Sequence, residues 1–201
     1  MRSLLIALTI ALSCGCAAAA ESALTIASGD YGDGMLIGFD PSTKAVRGYF
    51  SSETGQGRFN CIFYLKGRLS SSPASISTYF PETPNDKING KLLVKAHDSV
   101  LVRLSTEPGG CWNVLHFADD DQPAEFTLVA KHPWVSIAVI KSDRAYFFDA
   151  PAASVHRKAY LVQGDAVGVR GVQPGWLQVD FVGGRKMVSG WVRQSDVYPD
   201  D

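Results

Sequence analysis

Clusters of turn-forming residues divide this chain about every 10 to 15 residues after Ala20, and this spacing constrains the fold most strongly. The segments between the clusters are rich in β-branched and aromatic residues and often alternate apolar with polar positions. Examples are KLLVKAHDSVLVRLS, EFTLVAKHPWVSIAVI and VSGWVRQ. No segment after Ala20 keeps the apolar spacing of an amphipathic helix. The pattern therefore predicts an all-β fold whose N-terminal part is an antiparallel β domain, barrel-like or sandwich-like.

The first twenty residues have the pattern of a secretory signal peptide. Arg2 gives a positive start, and LLIALTIAL is an apolar run too short to span a bilayer. Ala18 and Ala20 fit the small-residue positions of a cleavage site before Glu21. We therefore expect residues 1–20 to be removed and the mature protein to be periplasmic or secreted.

Two cysteines inside this segment leave a second outcome open. Lipid attachment at Cys14 or Cys16 would anchor the mature protein to a membrane. The residues before each cysteine fit a lipoprotein signal poorly, since Leu12 stands one position late for Cys14. Membrane association is thus expected only if one of these cysteines is lipidated.

Cys61 and Cys111 are the cysteines that remain after the leader. An export signal implies an oxidising compartment, where an even pair usually forms a disulfide. The alternative, a redox or metal pair, lacks both a Cys-x-x-Cys motif and histidines at metal-ligand spacing. We therefore predict a structural Cys61–Cys111 disulfide, and we expect neither a metal nor another cofactor.

The charge of the chain argues against a nucleic-acid partner. The sequence has 19 Lys and Arg residues against 20 Asp and Glu residues. The sequence contains no run of basic residues of the kind that attracts the phosphates of a nucleic acid, so nucleic-acid binding is not expected.

Four motifs near the C-terminus occur in a recognisable order. They are AYFFDAP (145–151), KAYLVQGDAVGV (158–169), GWLQV (175–179) and GWVRQSDV (190–197). In this order they resemble the bacterial SH3-like domain family over roughly residues 137–199. The resemblance implies a small, bent antiparallel barrel of about five strands, whose relatives often recognise peptidoglycan or its peptides. We place the boundary between residues 136 and 141, giving a leader (1–20), an N-terminal β domain (21–136) and an SH3-like domain (137–201).

Alternation within GWLQVDFV separates a core face from an outer face. Leu177, Val179 and Phe181 share one face, which is apolar and should be buried. Trp176 then stands on the polar face, together with Asp180. Trp191, among valines in the closing segment, is expected to be a core residue instead.

Tyr146 and Phe148 share the outer face of the first strand of this domain. With Trp176 they form the predicted ligand-binding site, and Arg157 belongs to its basic rim together with His156 and Lys158. Two interpretations remain open at this stage. The three aromatic side chains either line a shallow groove for a ligand or pack against the N-terminal domain, and plain solvent-exposed surface is the remaining alternative.

The sequence shows no catalytic constellation. The four histidines, His97, His116, His132 and His156, lack metal-ligand spacing, and no Gly-x-Ser-x-Gly motif occurs. Asp119–Asp121 lacks the pattern of a calcium loop and is interpreted as a solvated turn.

Three functional hypotheses follow. The first is an exported, non-enzymatic envelope protein whose SH3-like domain binds peptidoglycan or an envelope protein. The second is a periplasmic inhibitor or immunity protein against a toxin that acts on the cell wall. The third is a cell-wall hydrolase that the SH3-like domain only targets.

Overall fold

The computed structural model describes residues 25–83, 85–96, 98–119, 121–183 and 186–199. These residues form two antiparallel sheets, a short two-stranded pair and two short 3-10 helices. The strands of the first sheet are β1 (Gly29–Asp30), β2 (Met35–Asp40), β3 (Ala45–Thr54), β4 (Phe59–Arg68), β5 (Ala74–Tyr79), β6 (Asn89–Ala96), β7 (Ser99–Leu104), β8 (Ala124–Thr127) and β9 (Ala130–Lys131). The remaining strands are β10 (Ser136–Val139), β11 (Ala145–Tyr146), β12 (Tyr160–Leu161), β13 (Ala166–Gln173), β14 (Trp176–Gly183) and β15 (Lys186–Arg193). The predicted all-β fold is confirmed.

The first sheet is a strongly curled meander. Its strands follow one another in the order β8-β7-β6-β5-β4-β3-β2-β1-β9. The two outermost strands, β8 and β9, are separated along the chain by only Leu128 and Val129. The sheet therefore curls until a single piece of chain pairs with β7 at one side and with β1 at the other.

The concave side of this sheet holds the larger core. Alternation along β3 buries Val46 and Phe50 while Arg47 faces outward and remains half-exposed. Phe50 and Phe117 meet edge to face with ring centroids 5.0 Å apart, and Phe63 meets Phe117 in the same way at 4.9 Å. Because neighbouring strands alternate in the same phase, their inward-facing aromatic side chains meet and fill the interior.

The predicted Cys61–Cys111 disulfide is confirmed. Cys61 lies on β4, and Cys111 begins a short 3-10 helix, Cys111–Asn113. The helix follows Gly110, whose φ of 83° favours glycine, and a Cβ there would lie 2.4 Å from the carbonyl oxygen of Asn60. The bond therefore ties the loop after β7 against β4, and it fits an oxidising compartment.

The second sheet has the order β10-β13-β14-β15, beside the short pair β11–β12. Its core contains Val167, Leu177, Val179, Val192 and other buried residues from these strands. A second 3-10 helix, Gln194–Asp196, follows β15, and Val197 then bridges back to Ile140. Together these elements form a compact C-terminal module, and the first sheet with its loops forms the N-terminal module.

A third buried cluster joins the two modules. Trp134, Ile137 and Val139 from the start of the second sheet pack with Leu36 and Tyr64 of the first. The Tyr64 hydroxyl donates a 2.8 Å hydrogen bond to the carbonyl oxygen of Gly164. Tyr49, Tyr64 and Tyr79 stand opposite one another on adjacent strands, so their rings extend this junction across the sheet.

The predicted signal segment, with Cys14 and Cys16, lies outside the described residues, as does His97. Within the described part of the chain, no helix has the length and apolar character needed to cross a bilayer.

Candidate ligand-binding surface

Strand β11 and the residues after it place the predicted aromatic side chains. Ala145 and Phe147 enter the core of the C-terminal module, and Tyr146 points to the other side and is half-buried. Phe148 is 4% exposed, so it is more deeply buried than a plain outer-face position. Its backbone exchanges hydrogen bonds of 2.8 and 2.9 Å with Trp191, which holds this segment against β15.

Four rings come together at this place, and we name them the aromatic surface: Tyr146, Phe148, His156 and Trp176. Trp176 meets Phe148 edge to face, with centroids 4.9 Å apart and an interplanar angle of 82°. His156 lies 4.0 Å from Tyr146 and 6.1 Å from Phe148, again measured between centroids. The structure therefore brings together the three aromatic residues that the sequence singled out. It adds the ring of His156, which the sequence placed on the rim.

Arg157 has a supporting position rather than a free rim position. Its Nε donates to Oδ1 of Asp149 at 2.7 Å, and its Nη1 donates to the carbonyl oxygen of Ser189 at 2.7 Å. These bonds fix the loop between β11 and β12 to strand β15. The Arg157 guanidinium is thus already engaged with Asp149 and Ser189.

Arg193 is the cation that sequence reasoning missed. Its guanidinium carbon lies 5.3 Å from the centroid of Phe148, within the range of a cation–π contact. Arg193 stands directly opposite Trp176 in the β14–β15 hairpin, so both side chains project from the same face. The register of β14 with β15, in which Gly183 lies opposite Lys186, creates this neighbour, and the sequence alone did not give that register.

Arg144 adds a second cation at the edge of the aromatic surface. Its guanidinium lies 5.0 Å from the ring centroid of Tyr160, which in turn is 5.7 Å from the ring of Tyr146. A side-chain hydrogen bond with Tyr146 raises the pKa of Arg144, which remains cationic.

The junction between the modules uses other residues. The cluster that joins the two modules contains Trp134, Ile137, Val139 and Ala166, with Val182 and Tyr198 at its edge. Among the described residues, every ring contact of Tyr146, Phe148 and Trp176 stays within the C-terminal module. The geometry therefore argues against packing of these rings between the two domains.

Two expectations from alternation need correction. Val192, rather than Trp191, enters the core, because β14–β15 pairing sets Leu177 opposite Val192 and Gln178 opposite Trp191. Trp191 is half-buried on the same face as Gln178. Asp180 was expected on a solvent-facing polar side, but it is 1% exposed, because the indole of Trp134 covers it.

The described histidines and acidic turns have local partners. The His116 ring meets Trp112 edge to face, and the His132 ring stacks on Trp134. Asp119 accepts backbone hydrogen bonds from Asp121 and Gln122, as a turn residue does. Within the described ranges, no group of three or more His, Cys, Asp or Glu side chains is placed to hold a metal ion.

No protein-family profile, curated protein or solved structure matches this chain. The chemistry available at the aromatic surface is that of exposed ring edges and faces with two guanidinium groups beside them. Rings of this kind bury apolar and planar ligand groups, and the guanidinium groups attract carboxylates or phosphates.

Proposed function

We propose that this chain is an exported, non-enzymatic cell-envelope protein whose C-terminal module binds peptidoglycan. The observation that carries the proposal is the contact of Trp176 with Phe148 at 4.9 Å between ring centroids, with Arg193 over the Phe148 ring. These three residues lie outside the buried cluster that joins the two modules. The four ordered motifs that resemble bacterial SH3-like domains support the same assignment.

The ligand chemistry suits this surface. Peptidoglycan combines sugar rings, which lie against aromatic side chains, with short peptides that carry carboxylates. Trp176 and Tyr146 offer half-buried rings, which lose little side-chain freedom when a ligand covers them. Arg193 and Arg144 offer charge-assisted hydrogen bonds to the peptide carboxylates. The disulfide and the leader-like N-terminal sequence support export to the compartment where this polymer is found.

Co-sedimentation of the full chain with purified sacculi at low salt tests the proposal. We expect the wild type to sediment, and Trp176→Ala and Arg193→Gln each to weaken binding about tenfold. Trp112→Ala is the matched control, because Trp112 is 68% exposed and lies on the 3-10 helix of the N-terminal module. This variant should bind sacculi as the wild type does. Circular dichroism and thermal unfolding establish that each variant is folded.

A protein ligand would give a different pattern. If the folded wild type fails to sediment with sacculi at low salt, peptidoglycan binding is excluded. A stoichiometric complex from an envelope extract that Trp176→Ala abolishes would then assign the same surface to an envelope protein. Equal effects of Trp112→Ala and Trp176→Ala on sacculus binding would contradict the assignment to the aromatic surface.

A further inference from the structure

A cleft with a volume of about 360 Å³ lies where the two modules meet. Tyr79 and Pro81 belong to the N-terminal module and line it together with strand β10 and with residues 197–199 of the C-terminal module. Strand β10 is the edge strand of the second sheet, so the cleft lies at that edge. We name it the junction cleft.

The floor of the junction cleft is apolar and consists of side chains from two buried clusters. Val169, Leu177 and Val197 belong to the core of the C-terminal module, and Ile137 and Val139 belong to the cluster that joins the modules. Each of these side chains is at most 6% exposed. Gaps in protein interiors seldom exceed the size of a water molecule, whereas the volume of the cleft falls within the range of small-molecule sites.

Tyr198, which also lines the cleft, is held in place by three hydrogen bonds. Its hydroxyl donates to Oε1 of Glu82 at 2.7 Å and accepts from Nε2 of Gln163 at 3.1 Å. Its backbone N–H donates to the carbonyl oxygen of Val139 at 2.9 Å. Glu82 follows β5 in the N-terminal module, so these bonds connect both modules around the cleft. A ligand therefore meets a wall that is already ordered, which lowers the entropic cost of binding.

Exposed residues surround the opening of the cleft, among them Lys141, Val172 and Gln194. Val172 is 62% exposed, so the apolar lining continues to the surface. Lys141 is the only charged side chain among the described residues that line the cleft. Within the described part of the chain, no ion pair or side-chain hydrogen bond engages the Lys141 ammonium. The cleft thus combines an apolar interior with one positive charge at its opening.

We propose that the junction cleft binds a single-chain amphiphile with a carboxylate head group. The alkyl chain lies against the apolar floor, and the carboxylate accepts a charge-assisted hydrogen bond from Lys141 at the opening. The cleft volume corresponds to about twelve groups that each occupy the volume of a water molecule in the liquid, which is about the number of non-hydrogen atoms in decanoate. A two-chain lipid is too large for this space, and one ammonium balances the single charge of a carboxylate.

Calorimetric titration of the full chain with alkyl carboxylates, below their micelle-forming concentrations, tests the proposal. Each methylene group that enters the cleft should raise affinity about fourfold, so decanoate should bind about tenfold or more tightly than octanoate. Tetradecanoate should gain less than about twofold over dodecanoate, because its last methylenes remain in water. Decyltrimethylammonium has the same chain length as decanoate and the opposite charge, and it should bind about fivefold or more weakly.

Lys141→Gln places the head group. This variant should weaken decanoate binding about fivefold and leave the ratio between decanoate and octanoate unchanged. Lys131→Gln is the matched control, because Lys131 is also exposed and does not line the cleft, and it should change affinity less than about twofold. Trp176 does not line the cleft either, so Trp176→Ala should bind decanoate as the wild type does. Sacculus binding and decanoate binding can therefore fail independently.

Four results would overturn the proposal. The first is the absence of decanoate binding to the folded wild type. The second is an affinity that keeps rising with chain length up to tetradecanoate, which would indicate adsorption to an open surface rather than enclosure in the cleft. The third is equal binding of decanoate and decyltrimethylammonium. The fourth is an equal loss in Lys141→Gln and Lys131→Gln, which would indicate an effect of net charge alone.

Discussion

The indole Nε1 of Trp134 donates a hydrogen bond of 2.9 Å to Oδ2 of Asp180, and each of these residues is 1% exposed. Trp134 precedes the first strand of the C-terminal module, while Asp180 lies in the middle of β14. Oδ1 of the same carboxylate has no hydrogen-bond partner among the described residues, and Nη1 of Arg170 is 3.8 Å from it. The hydrogen bond from the indole therefore offsets much of the cost of burying the Asp180 carboxylate.

We predict that Trp134→Phe lowers the free energy of unfolding by about 3 kcal/mol, because the buried Asp180 carboxylate loses its hydrogen-bond donor, while Arg170 remains 3.8 Å from it. Asp180→Asn retains an acceptor oxygen for the indole and should cost about 1 kcal/mol. Urea unfolding of both variants measures the difference. Equal losses would show that the hydrogen bond is not what makes Trp134 important.

Gly168 lies beneath the same indole. A Cβ at this position would be 2.2 Å from Trp134 ring carbons, a separation that real structures do not allow. Gly168→Ala should therefore displace the indole and destabilise the protein by about 2 kcal/mol or more.

Gly171, on the same strand, is the matched control for this substitution. A Cβ there would meet only Oε1 of Gln178, at 3.8 Å, so Gly171→Ala should leave stability nearly unchanged. Thermal unfolding of the two variants, with tryptophan fluorescence as the probe, checks both expectations. A destabilised Gly171→Ala would point to a general intolerance of β13 to alanine.

Removing the disulfide should lower the free energy of unfolding, because the unfolded chain then gains conformational entropy. The Cys61–Cys111 bond closes a loop with a sequence separation of 50. The loop-closure estimate for this length is about 4 kcal/mol. Denaturant unfolding of Cys61→Ala/Cys111→Ala measures the loss. A loss below about 1 kcal/mol would mean that the packing of the 3-10 helix on β4 holds the loop without the bond.

Tyr31 should make the protein sensitive to alkali. Burial, with a smaller contribution from the charge of Asp98, raises its pKa from 10.0 to about 12. In the unfolded chain the phenol ionises near pH 10, so the contribution to stability is complete below about pH 10 and is lost as the pH rises toward 12.

Tyr31→Phe should therefore give a shallower fall of the unfolding free energy between about pH 10 and 12. At neutral pH the variant loses the 2.8 Å hydrogen bond from the Tyr31 hydroxyl to the carbonyl oxygen of Ala27. Urea titrations at a series of pH values separate the two effects. Parallel pH profiles for the variant and the wild type would contradict the role of Tyr31.

The all-β fold and the disulfide could be predicted because each depends on local or compositional signals. The alternation that buries Leu177 and Val179 was also readable from GWLQVDFV. Which face of β15 enters the core could not be predicted from the sequence, because this strand has apolar residues on both faces. Val192 lies in the core, and Trp191 is half-buried outside it. Only the register with β14 decides between them.

Contacts between residues far apart in the sequence could not be predicted. Asp180 has the alternation of an outer residue, and its burial depends on Trp134, which is 46 positions away. The outer face of the first sheet gives the second example, because no basic run along the chain marks Arg68, Lys91 and Arg103, which lie in one row across it. The register of three strand pairs, from β4 to β7, brings them together.

The segment Ala124–Lys131 pairs with β7 through β8 and with β1 through β9. During synthesis, every residue before Ala124 leaves the ribosome before this segment does. Until this segment arrives, the edges of both β7 and β1 are available to strands of other molecules. The interval before its arrival is therefore when the N-terminal module is most prone to aggregation, and when protection by a chaperone would have the greatest effect.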